Sequence, residues 1–162
     1  MKLSHIPIRL TAGAFFLNSG LSKLGMSEEQ AAGLKQMGTA GVPYLEKMDD
    51  KTFAKALPAG EIAVGAALLL PFVPSWLAGL ALAAFGTGFV NMYLNTPGMT
   101  QEDGIRPTQE GIGLAKDVTF VGIGATLVLD SIFSRRRVVK KVRADKIKVK
   151  PSRAARRAAA DH

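Results

Sequence analysis

The chain has 162 residues, a formal charge of +8 and a mean hydropathy of only +0.16. It has no cysteine, which excludes disulfides, thiol relays, iron–sulfur clusters and thiolate metal sites in this chain. Its two histidines, His5 and His162, stand near the two ends, so bis-histidine haem ligation within the apolar body is excluded as well.

Apolar stretches cover residues 7–26, 57–74, 75–94 and 111–133. A bilayer core about 30 Å thick takes roughly 20 apolar residues per crossing helix, so these stretches predict four spans. Pro7 opens the first, in the one helical turn where a missing N–H costs nothing. With no basic leader and no A-x-A site behind it, this span is expected to be retained rather than cleaved. Ser27-Glu28-Glu29-Gln30 then reads as a capping box and predicts a short helix over 28–37, broken by Gly38, Gly41 and Pro43. Tyr44, Leu45, Met48 and Phe53 among charged neighbours suggest a second amphipathic piece. This outer connector either lies on the membrane surface or folds over the bundle.

Spans two and three form a tight hairpin through Pro71 and Pro74, with Trp76 as an interfacial anchor. Both are rich in Gly and Ala, which allow close helix contact in lipid. A polar loop containing Pro97, Gly98, Gly104 and Pro107 leads into the fourth span. Residues 135–162 then carry twelve Lys and Arg against two Asp, a net +10, and leave −2 for everything before them. Basic residues directly after a span favour the cytoplasmic side, so both termini and the proline hairpin are placed there. The expected architecture is all-α: a polytopic four-helix transmembrane bundle over 1–134, with an amphipathic outer connector and a basic, partly disordered cytoplasmic tail over 135–162. The expected site is the inner (plasma) membrane of a bacterium.

Ionisable groups inside spans need explanation, since each costs roughly 2.5–3.5 kcal/mol at mid-helix on insertion scales. By depth they fall into two layers. Lys23, Glu61, Asn91, Tyr93, Lys116 and Asp117 lie at the outer ends, and Arg9 and Asp130 at the inner ends. The inner two are predicted to pair. For the outer layer, Lys23 and Lys116 can simply snorkel to the headgroups. Carboxylates have short stems, which favours a paired network of Glu61, Lys116, Asp117 and Lys23, or else a site for a polar ligand, a quinone headgroup or a proton. Asn18, beside Ser19, is expected to hydrogen-bond between helices. Arg135, Arg136, Arg137, Lys140 and Lys141 suit contact with anionic lipid, at about 1 kcal/mol per basic residue, or with an acidic partner. Tethering to a membrane argues against nucleic acid. No metal set and no catalytic residue is assigned.

Ile8-Arg9-Leu10-Thr11-Ala12-Gly13-Ala14-Phe15-Phe16-Leu17 with Gly20 and Lys23-Leu24, Pro58-Ala59-Gly60-Glu61 with Gly65, and Ala115-Lys116-Asp117 together resemble three helices of the DoxX family. The connector and tail fall outside that pattern. The resemblance implies a four-helix membrane bundle, with Arg9, Glu61, Lys116 and Asp117 as family-type polar positions. It implies function loosely, since relatives include a subunit of a quinone-linked oxidoreductase as well as chaperones and receptors. The expectation is a non-catalytic accessory subunit or assembly factor of a larger respiratory or cell-envelope complex, with protein partners and no cofactor of its own. The alternative is a quinone-linked oxidoreductase subunit using the outer charged pocket.

Overall fold

The computed structural model describes the backbone of residues 2–149 and the side chains of residues 2–134. Among these residues the regular structure is helical: α1 Ile6–Ser22, α2 Glu28–Gly41, α3 Asp50–Leu69, α4 Ser75–Asn95, α5 Ile112–Ala115 and α6 Val118–Val149, with 3-10 turns at Leu3–His5 and Pro43–Lys47. A single bridge, Thr100 with Pro107, is the only β pairing among them, and there is no strand. Met1–Val128 forms one compact unit and Leu129–His162 a second. In the second, the Ser134 hydroxyl donates to the Asp130 carbonyl and the backbone stays helical to Val149. The basic cluster Arg135, Arg136, Arg137, Lys140 and Lys141, and the disorder expected further on, lie outside the described side chains and residues.

Three helical stretches are long and apolar enough to cross a membrane: Asp50–Leu69, Ser75–Asn95 and Ile112–Ser134, of 20, 21 and 23 residues. The first apolar run yields only the 17 residues of α1. At a rise of 1.5 Å per residue it extends about 25 Å, short of the bilayer core. Length and composition therefore give three crossing helices, and a four-helix transmembrane bundle is not established by them.

The second span begins earlier than its apolar composition implies. Asp49 accepts a hydrogen bond from the Thr52 N–H at 2.9 Å and caps α3, so the helix starts at Asp50 and carries Pro58 in its interior. Hydrogen bonding from Thr52, its side chain first and its N–H second, holds the Asp49 carboxyl below its ordinary range. Residues 50–56, four of them polar, extend the helix beyond its apolar part, because a cap followed by good helix formers propagates whatever the hydropathy. The capping box is present in full: Gln30 N–H donates to the Ser27 hydroxyl, and Ser27 N–H to the Gln30 side chain. The helix it starts runs through Gly38 and ends at Gly41. Its partners are α3 and α4, so the connector folds over the first unit.

Glycines set the helix spacing. A Cβ on Gly20 would stand 2.8 Å from the Pro58 carbonyl oxygen, and one on Gly65 would stand 2.6 Å from the Leu17 nitrogen. On the other side, Gly79 and Gly124 face each other, each Cβ position within 2.7 Å of the opposite carbonyl oxygen. Van der Waals contact of backbone on backbone is what holds helices together where lipid removes the hydrophobic drive. Between these crossings the core gathers Ala12, Phe16, Val64, Leu68, Ala78, Leu82 and Leu127.

Candidate functional site: a roofed apolar cavity beside a buried ion pair

Lys23 is the C-cap residue of α1, and Ser19 stands one turn before it. The Lys23 ammonium donates to the Ser19 hydroxyl at 2.6 Å and to the Ser19 carbonyl at 3.2 Å. It also reaches both oxygens of Glu61, at 3.0 and 2.9 Å. The Glu61 side chain is only 4% exposed and that of Lys23 24% exposed. Glu61 reaches this position because Gly20 and Gly65 draw α1 and α3 together on either side of it. A carboxylate this deep needs a cation and hydrogen bonds to remain charged, and Lys23 supplies both.

The pair forms part of the wall of a cavity of about 580 Å³. Phe15, Phe16, Phe85 and Phe89 line its floor and sides from α1 and α4. These rings pack edge-on or tilted, for example Phe16 on Phe85 with centroids 5.6 Å apart. Leu34, Met37 and Gly38 of α2 close it from above, with Leu45 and Met48 of the following turn. The roof is anchored at Gly41, whose missing side chain lets α2 rest on the α4 backbone at Gly88 and Met92. Lys35 holds the other edge, donating to the Met48 carbonyl at 2.9 Å and pairing with Asp50.

The remaining outer-layer residues are distributed differently. Asp117, between α5 and α6, also lines the cavity. It is half-buried and has no side-chain hydrogen bond or ion pair among the described residues. Its neighbour Lys116 is exposed, and Asn91 is exposed on α4. Tyr93 is buried and donates from its hydroxyl to the Ile105 carbonyl at 2.6 Å, tying down the loop after α4. In that loop Arg106 pairs with Asp103, whose carboxyl is held below its ordinary range by that contact and by the Ile105 and Arg106 N–H groups. Asn18 faces outward on α1 with no side-chain hydrogen bond, so the interhelical bond expected for it does not form. Its place on the inward face is taken by Ser19.

Arg9 is 1% exposed, and its guanidinium uses every N–H. Nε donates to the Leu68 carbonyl at 2.7 Å. One terminal nitrogen donates to the Val73 carbonyl and the Ser75 hydroxyl, at 3.0 and 2.9 Å, and the other to the Ala67 and Leu70 carbonyls, at 2.9 and 2.8 Å. Four of these acceptors are carbonyls of the α3 C-terminus and the turn behind it, the fifth being the Ser75 hydroxyl, and the cation complements the dipole of α3 at this end. Asp130 belongs to the second unit.

Among the described residues the architecture is that of a small all-helical membrane protein, with three helices long and apolar enough to cross a bilayer. Residues 1–102 match the sequence model of the methylamine utilisation protein MauE, and the chain belongs to the MauE family. No curated protein and no solved structure matches it. The resemblance to the DoxX family is thereby overturned. Arg9, Gly13, Gly20, Lys23, Glu61 and Gly65 suggested it, but their structural work is generic: a clamped turn, a close helix crossing and a neutralised carboxylate. The matched segment also takes in the whole connector, residues 27–56, which the DoxX pattern leaves out, and stops short of Lys116 and Asp117.

Proposed function

We propose that this chain is a non-catalytic membrane module, an accessory subunit or assembly factor of a larger respiratory or cell-envelope complex, serving the methylamine utilisation for which its family is named. The observation that carries this reading is how the deeply placed ionisable groups are used. Arg9 is taken up by five acceptors, and Lys23 and Glu61 by each other. Groups engaged in this way hold a scaffold together and are not available to react. The lack of cysteine removes thiol chemistry from the chain itself. In this reading α1 makes a fourth crossing, both ends face the cytoplasm, and Arg135, Arg136, Arg137, Lys140 and Lys141 rest on anionic lipid or a partner subunit.

The test is purification of the full chain in a mild detergent from cells induced for methylamine use, with mass spectrometry of whatever co-elutes. A partner at fixed stoichiometry is the expected result. Recovery of the chain alone at every detergent concentration rejects the proposal.

One observation favours a second reading, a quinone-linked oxidoreductase subunit: the cavity has an apolar body with a hydrogen-bonding pair in its wall, as a quinone would require. Bound quinone in purified protein, and loss of membrane quinone reduction in Glu61→Gln, would support it. Absence of both rejects it.

A further inference from the structure

The cavity is larger than structural slack and differs chemically from the rest of the core. Its volume of about 580 Å³ falls within the roughly 300–1000 Å³ typical of sites for small organic ligands. Its wall is almost entirely hydrocarbon, aromatic ring and thioether, so the body of any occupant must be apolar. The charges are what discriminate among occupants. Lys23 is the one cation in the wall, and its ammonium is saturated by Ser19 and both oxygens of Glu61. Asp117 is a second carboxylate in the wall and has no hydrogen-bonding or ion-pairing side chain against it, while Lys116 beside it is exposed. The lining therefore carries one more negative charge than positive.

An anionic amphiphile entering this space would find no available cation and would meet Asp117. A neutral one would leave that carboxylate against an apolar wall with only the exposed Lys116 attracting it, which is costly. A cation with an apolar body resolves both problems. Its charge can sit beside Asp117, and its carbon groups can sit against phenyl rings, whose negative faces attract organic cations.

We propose that this cavity is a binding site for an organic amine bearing a hydrocarbon body, with Asp117 as its counter-charge. The inference is independent of the accessory role, since a lone protein or a subunit can hold such a ligand equally well. It competes directly with the quinone reading for the same space.

Decylammonium, decyl sulfate and a neutral decyl-substituted quinone serve as probes of matched chain length. Calorimetric titration uses the full chain in phosphatidylcholine nanodiscs, with empty nanodiscs subtracted. The expected result is saturable binding of the ammonium probe, at least about tenfold tighter than either other probe, as one charge-assisted contact implies. Asp117→Asn should lose about tenfold for that probe only, with Asp117→Glu retaining it. Equal or tighter binding of decyl sulfate, or unchanged affinity in Asp117→Asn, overturns the proposal. Tighter binding of the quinone overturns it and leaves the quinone reading standing. Should Asp117→Asn fail to fold, the order of the three affinities in the unaltered protein decides alone.

Discussion

Arg9 shows how far the oxygens of one turn can satisfy a buried guanidinium. Its five donors meet five oxygens of one short turn, a match that depends on the planar fork of the guanidinium. Arg9→Lys keeps the charge but offers three donors from a single point. We expect it to lower the thermal midpoint in detergent nearly as much as Arg9→Ala, with each variant losing on the order of 3 kcal/mol. Rescue of the lysine variant to wild-type stability would show that charge alone suffices. Asp130→Asn in both backgrounds tests the inner pairing, since strict additivity would reject any coupling between the two residues. Sequence order placed Arg9 and Asp130 at one depth and suggested each as the other's partner. Backbone carbonyls are acceptors too, yet they carry no mark in a sequence, so the turn at 67–75 was invisible as a ligand for Arg9. Lys23 and Glu61 were legible as members of one layer because both are side-chain charges near span ends.

At the scale of the helix, hydropathy and helicity mark different things. Apolar composition located α3 from Leu57 onward, whereas the helix starts where Asp49 caps it. The connector was legible as helical through its capping box, but a short amphipathic helix fits a membrane surface and a protein surface equally well. Only the seating of Gly41 on α4 distinguishes them, and that depends on residues far apart in the chain. The roof of the cavity was consequently not foreseen, and with it Leu34, Met37, Leu45 and Met48 as wall residues. The glycines give a paired test. Gly65→Ala forces a carbon against the Leu17 backbone and is expected to cost about 1–3 kcal/mol by separating α1 from α3. Gly33→Ala, in α2 with open space around it, should gain roughly 0.5–1 kcal/mol from helix propensity. Chemical unfolding of both variants checks the difference, and equal effects would show that the close crossing carries no energetic weight.

For the whole molecule, the number of crossings and their direction are the points on which the role depends. Because the chain has no cysteine, each introduced one reports alone. Glu102→Cys in the loop after α4 and Phe72→Cys in the turn before it should label from opposite sides of sealed vesicles. Positions 2 and 72 should label from the same side if α1 crosses. Labelling of position 2 together with position 102 would instead leave three crossings and reverse the assignment of the N-terminus. Family membership was the least legible property, because the motifs that suggested one membrane family are solutions that small helical membrane proteins share.

In the proposed four-crossing arrangement, the brevity of α1 would act on the surrounding lipid. A crossing helix about 25 Å long, pinned by Arg9 near one end and by Lys23 at the other, would have little freedom to tilt or slide. Acyl chains beside it would have to shorten by a few ångströms, at fractions of a kcal/mol per ångström of mismatch, while those beside α4 would not. The protein would then sit in a bilayer dimpled on one flank and favour thin, fluid regions. Neighbouring proteins with similarly short helices would be drawn to that flank.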